Sequence, residues 1–455
     1  KELEFYRFHL EKILRYRCHT LSEKEEALLA ASGEMGRGMR DVFDMLDNAD
    51  LKLGEIEDEK GETVTLTHGN FQSILQSYDR RVRRDVFNTY YKAYESHQYT
   101  YSTLLAGSIK KDLFYSRTKK FPSYRAKALF SENIPVEVYD NLIESVHQNL
   151  DPLYKYFDLR KRLLDLDKLH IYDCNVPLVK DMKWHMPFDQ AVEEIKSALN
   201  PLGKEYVEQL GCGLSVDRWT DRYENKGKRS GAYSSGCYDS NPFILMNYRE
   251  DNINSAYTLA HEAGHSMHSF YSRKNQPYLY SDYTIFVAEV ASTFNEALLT
   301  RHFLSQDIAP DMRIYLICRE IDNFRGTLYR QTMFAEFEYQ VYKAMEGNEP
   351  LTLEFFKKIY KDLLERYFGS GVVLDDCLSL ECLRIPHFYF SFYVYKYATG
   401  ISAAYALADR VISGGETELN DYLGFLKSGG SKYPIDLLNS AGVDMLSPEP
   451  VNTAL

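Results

Sequence analysis

Apolar residues recur every three to four positions along most of this 455-residue chain, which commits it to packed helices before any motif is considered. The pattern runs over residues 1–17 and again from about Asn70 to Asn200, with expected breaks near Pro122, Pro135 and Pro152. It resumes from about Asn254 to the end. Thr20-Leu-Ser-Glu23 reads as a capping box opening a second helix through Glu25–Ala31. Three stretches depart from the rule. Around Gly54–Thr67, two glycines and the alternating Thr63–Thr67 run predict a short hairpin or loop. Between Tyr223 and Tyr248, Gly227, Gly231 and Gly236 punctuate a polar run that ends in a strand over Pro242–Asn247. Residues 375–384 and 428–434 read as loops. The expected fold is mainly α with one small sheet, divided into an N-terminal helical segment over 1–70 and a larger domain over 71–455.

Within that helical frame, Ala260–Met267 reads Ala-His-Glu-Ala-Gly-His-Ser-Met. Positions i and i+4 of a helix lie one above the other, so His261 and His265 present two imidazoles on one face. That spacing suits one Zn²⁺, with Glu262 placed to take a proton from a metal-bound water. Ala256, Leu259, Ala260, Ala263, Met267 and Phe270 supply the helical periodicity around it. A structural site needs a fourth protein ligand, whereas a catalytic one needs a third ligand and an open position. The extended pattern with a third histidine fails, because Tyr271 and His268 occupy the positions it requires. Glu289 is the next carboxylate on an apolar helical pattern, 24 residues after His265 and flanked by Val287, Ala288, Val290 and Ala291. Burying it alone would be costly, so it needs a partner: a metal, or a buried salt bridge. Glu296 shares its helix face and reads either as a group orienting a ligand histidine or as a structural acid. Asp282 reads as a helix cap, and His268 as either a cleft residue or an ordinary core histidine.

Composition narrows the partners. Lysine plus arginine is 54 against 66 for aspartate plus glutamate, a net charge of −12, which argues against nucleic acid or an anionic membrane surface. No stretch approaches the ~20 apolar residues of a membrane span. Seven loosely spaced cysteines read as reduced thiols of a cytoplasmic protein, with Cys377 and Cys382 lacking a second pair that would complete a metal site.

Four segments taken together carry a resemblance. They are His261–Ser272, Phe286–Glu296, Lys228–Tyr248 with its Arg-Ser-Gly-Ala-Tyr and Pro-Phe-Ile-Leu-Met-Asn-Tyr runs, and Arg384–Gly400; the ending Ser447-Pro448-Glu449-Pro450 also fits. In these the chain resembles the thimet oligopeptidase family of zinc metallopeptidases, and within it the oligoendopeptidase F branch. The resemblance covers nearly the whole chain. It implies a mostly helical, two-lobed protein with a deep central channel, one Zn²⁺ per chain, and short unstructured peptides as substrates. Family members are longer at the front, so the chain reads as one that lacks an N-terminal portion, or in which that portion is not represented. The family also uses a histidine and tyrosines from the segment matching Arg384–Gly400 to stabilise the oxyanion, which implies His387 and Tyr395, then Tyr389, for this role. The residues themselves offer one further reading. Gly231-Ala232-Tyr233 begins small enough for close backbone approach, so this edge is expected to bind an extended peptide with Phe243–Met246 as the strand behind it; the alternative is a hairpin with no ligand contact.

Overall fold

A computed structural model describes residues 3–180 and 182–455. The fold is mainly helical, as the periodicity requires. Of the residues 1–17 expected as a helix, Lys1 and Glu2 lie outside the described residues, and the helix itself is Arg7–Arg15. The second helix, Glu23–Ala31, is capped by Ser22 with Glu25, two residues beyond the expected box. The Thr20 hydroxyl donates back to the Tyr16 carbonyl at 2.8 Å, closing the preceding turn. The hairpin pairs Glu55–Glu57 antiparallel with Thr63–Thr65. The long helical stretch stops earlier than expected, at Leu163, and resumes only at Phe188. Residues 376–384, expected as a loop, form a 3₁₀ turn and a short helix. Among the described residues, no helix is long and apolar enough to cross a membrane, and the seven cysteines form no disulfide.

The chain divides into two compact units. The first gathers Lys1–Ser131, His147–Leu178 and Thr332–Tyr395. Its core is rich in tyrosine, with Tyr90, Tyr91, Tyr94 and Tyr101 all buried. Asp173, fully buried, is held there by Arg83 at 2.7 Å and Arg80 at 2.9 Å and accepts the His170 backbone N–H. Burial alone would push its carboxyl up, but the two guanidinium groups outweigh burial and hold it below the usual range.

The second unit gathers Glu132–Val146, Val179–Gln331 and Lys396–Leu455. Its sheet has three strands, β1 (Thr220–Asp221), β2 (Tyr233–Ser235) and β3 (Phe243–Leu245). The order is β1-β3-β2, with β3 parallel to β1 and antiparallel to β2, so β2 is an edge strand. Two long helices lie beside it, α1 (Ile253–Asn275) and α2 (Ile285–Ser305). Asn252 caps α1 through the Asn254 N–H, and Arg273 and Lys274 in the last turn complement the helix dipole. Ala256, Leu259, Ala260, Ala263 and Met267 of α1 are buried, as are Val287, Val290, Ala291 and Phe294 of α2. At their crossing, Gly264 leaves no room for a side chain. A Cβ there would stand 2.5 Å from the Ala291 carbonyl oxygen and 2.6 Å from the Ser292 Cα. Asn295, fully buried on α2, donates to the Ala260 carbonyl at 3.1 Å and fixes the register of the pair.

This close approach gives a direct test by thermal melting. Gly264→Ala should destabilise by about 2 kcal/mol, because the clash is with backbone that cannot swing away. Gly424, an exposed position on the helix Glu416–Ser428, has nothing within 4 Å of an added Cβ, and Gly424→Ala should stabilise by up to about 1 kcal/mol. Equal melting temperatures for the two variants would contradict the packing argument.

Candidate metal centre

The α1–α2 crossing places three side chains with their donor atoms together. His261 Nε2 lies 3.2 Å from Glu289 Oε2, and His265 Nε2 lies 3.4 Å from the same oxygen. The two rings are 4.8 Å apart and nearly perpendicular, so both nitrogens face the same space. One ligand atom from each residue falls within 4.8 Å of the others, the one such group among the described residues. Donors of a tetrahedral ion at zinc's bond lengths are roughly 3.4 Å apart, so the spacing fits. Each of the three side chains keeps 18–31% of its surface exposed, which leaves a side open for a further ligand.

Electrostatics point the same way. Burial lowers the pKa of His261, but the Glu289 and Glu296 carboxylates on either side outweigh it and raise the ring to about 10. Glu289 is pushed up by burial and held well below the carboxylate range by the two imidazoles. The pocket is thus built to hold positive charge, which a metal would supply while taking the place of protons. Supporting contacts fix the donors. His261 Nδ1 is 2.7 Å from Glu296 Oε1, which sets the ring with its proton on Nδ1 and its Nε2 lone pair toward the centre. The Ser292 hydroxyl donates to Glu289 Oε2 at 3.0 Å. Gly400, on the helix Tyr395–Ser413, backs Glu289, where a Cβ would lie 3.6 Å from that of Glu289.

Glu262 follows His261 and is 6% exposed, with Oε2 making no hydrogen bond. Burial raises its pKa, opposed mainly by His261 and His265 and in small part by the Ser234 backbone N–H. A buried carboxylate oxygen left without a partner beside a cation pocket is the group expected to receive a proton from a ligand.

The Ser234 contact ties β2 to the centre. Ile244 and Met246 donate their backbone N–H groups to Trp219 and Asp221, on the side of β1. By strand alternation Phe243 and Leu245 face β2 and bond with Ser235 and Tyr233, so the backbone groups of Ser234 point to the open edge. Ser234 Oγ also lies 2.9 Å from Ser266 Oγ on α1. Gly231 and Ala232 precede this strand, and Gly231 takes φ of +86°, a value that favours glycine. Asn247 donates to the Arg229 and Gly231 carbonyls at 3.0 Å each, which holds the turn.

Of the other residues singled out by sequence, His268 is a core group. It is 1% exposed, stacks on Tyr283 at 3.7 Å, and is lowered to about 3, chiefly by burial. Asp282 does not cap α2, whose N-cap is Thr284. His387, Tyr389 and Tyr395 fall in the first unit. His387 is partly exposed, stacks near Tyr393, and is lowered by burial and then by Arg40. Tyr389 is buried against Phe43 at 4.3 Å with its hydroxyl unbonded, and Tyr395 is fully buried. Sequence reasoning missed Ser292, although its place three residues after Glu289 could have marked it. It also missed Asn295 and the Ser234 amide, which only the packing reveals.

The model of peptidase family M3 matches residues 73–455, and an oligopeptidase F model matches residues 1–52. The chain is 49% identical over 454 residues to oligopeptidase PepF of Bacillus subtilis (strain 168), covering all of this chain and 68% of that protein. It is 41% identical over 454 residues to an oligoendopeptidase F homolog of Borreliella burgdorferi, covering all of this chain and 76% of the relative. The crystal structure of oligoendopeptidase-F from Enterococcus faecium superposes with a TM-score of 0.82 at 36% identity, over 99% of this chain and 75% of that one. The chain therefore belongs to peptidase family M3.

Proposed function

We propose that this protein is a zinc metalloendopeptidase that hydrolyses internal bonds of short oligopeptides, with the metal held by His261, His265 and Glu289. The single observation that carries this reading is the convergence of those three donors beside Glu262, whose buried oxygen has no partner. Residues 71–455 form the catalytic domain in this reading, and residues 1–70 an N-terminal helical segment. The relatives' names, oligopeptidase and oligoendopeptidase, point to peptides as the substrate class.

The ion, when bound, would lower the pKa of a water and polarise the scissile carbonyl. The rest of the chemistry falls to the chain. Glu262 accepts the proton from the attacking water on its free oxygen and passes it to the leaving amine. The open edge at Gly231, Ala232 and Tyr233 holds the peptide as an added strand through backbone hydrogen bonds. His387, Tyr389 and Tyr395 are proposed, by family likeness, as donors to the oxyanion, with His387 first because it keeps exposed surface while Tyr389 and Tyr395 are buried. Burial, and then Arg40, lowers the His387 pKa and so favours the neutral ring, in which one nitrogen carries a proton to donate.

Two experiments test these roles. Hydrolysis of an internally quenched peptide should stop with a chelator, return with Zn²⁺, and fall about 10²–10⁴-fold in Glu262→Gln while zinc binding persists. A zinc-loaded wild-type protein that cuts no peptide in a broad library would end the peptidase reading. His387→Ala should lower kcat by about 10²–10³-fold with zinc affinity unchanged, as for the loss of one oxyanion donor. A kcat within twofold of wild type would remove His387 from that role.

A further inference from the structure

Behind the candidate metal centre lies a charged side chain that neither the motif nor the peptidase reading uses. Helix α3 (Pro310–Phe324) packs beside α2 and carries Arg319, whose side chain is 17% exposed. Its guanidinium is held on several sides. Nε donates to Asn254 Oδ1 at 2.9 Å, at the start of α1. The guanidinium carbon sits 3.3 Å above the centre of the Tyr257 ring, also on α1. Nη1 is 3.9 Å from Glu320 Oε2, which accepts the Thr300 hydroxyl at 3.3 Å. Nη2 is 3.5 Å from Glu296 Oε2, the oxygen that does not touch His261.

The last contact gives the group its meaning. Glu296 is bound at both ends, by the His261 ring on Oε1 and by Arg319 on Oε2. A carboxylate on a flexible side chain orients an imidazole only as well as it is itself oriented. A planar guanidinium stacked on a ring and bonded at Nε cannot rotate freely, so it offers Glu296 a fixed partner. Lysine in its place would bring the charge without the fork or the stack.

We propose that Arg319 is a positioning residue for the metal centre, acting through Glu296 to hold His261 in the tautomer and orientation that bind the ion. This rests on the zinc-site reading above. Arg319 touches neither the ion nor a substrate, so its effect belongs on metal affinity before it appears in any rate.

The test is a zinc competition titration on the whole chain against a chromogenic chelator, run as a double-substitution cycle. Wild type, Arg319→Met, Glu296→Gln and the double variant are compared, and the melting of each metal-free protein is recorded alongside. Losing a group that orients a ligand histidine typically costs 10–100-fold in metal affinity, so Arg319→Met should lose about tenfold. Arg319→Lys should lose less than Arg319→Met. In the Glu296→Gln background, Arg319→Met should cost no further affinity. Wild-type affinity in Arg319→Met would overturn the proposal, as would an equal loss in both backgrounds, which would mark a role in folding alone. Should Arg319→Met fail to fold without metal, Asn254→Ala replaces it in the cycle. That change removes only the acceptor that aims the fork, and the same two outcomes decide. A wild-type chain that binds no zinc at all would overturn the zinc site itself, and with it this proposal.

Discussion

Everything at the candidate centre depends on how closely two helices approach. The backbone at Gly264 lies against the Ala291 carbonyl and the Ser292 Cα, and no side chain fits between them. That contact brings the His261–His265 face of one helix within reach of Glu289 on the other, to donor separations of 3.2 and 3.4 Å. A helix pair packed through larger side chains is typically 8–10 Å apart between axes, and every added ångström would be lost from a donor set with a tolerance of tenths. The glycine inside the histidine motif is therefore a packing requirement of this site. Asn295 serves the same end, since its bond to the Ala260 carbonyl prevents the helices from sliding.

From that crossing, charge is arranged outward in alternating sign. The cation pocket is lined by Glu289, His261 is backed by Glu296, and Glu296 is backed by Arg319. Each member is partly or wholly withdrawn from water, where an unpaired charge would be expensive. Glu262 breaks the pattern, with a buried oxygen that no neighbour satisfies. Such local violations of otherwise consistent packing and pairing are where function is expected to reside.

Much of this was legible in the sequence, for identifiable reasons. Helical periodicity gave the mainly α fold, because burying one face of a helix leaves a three-to-four residue trace. The i, i+4 histidines and the isolated Glu289 pointed to one site because a charge among alanines and valines demands a partner. Element ends were less visible. The cap fell at Ser22, whose hydroxyl accepts the Glu25 N–H, instead of the box expected from Thr20 two residues earlier. The break after Leu163 left no proline at its start, and Asp282 carried a cap's residue type without a cap's position. Arg319 was invisible, because a lone arginine on an amphipathic helix carries no local sign of what it faces after folding. The burial of Tyr389 and Tyr395 was likewise hidden among the chain's 37 tyrosines.

The central claim is that two imidazoles and one carboxylate converge on a single ion. Zinc K-edge X-ray absorption on the chain loaded with one equivalent of Zn²⁺ tests it most directly. The account predicts a first shell of nitrogen and oxygen only at about 2.0–2.2 Å, with the outer scattering of two imidazole rings, reduced to one ring in His265→Ala. A sulfur shell at about 2.3 Å, or a shell with no imidazole scattering, would place the metal elsewhere and contradict it.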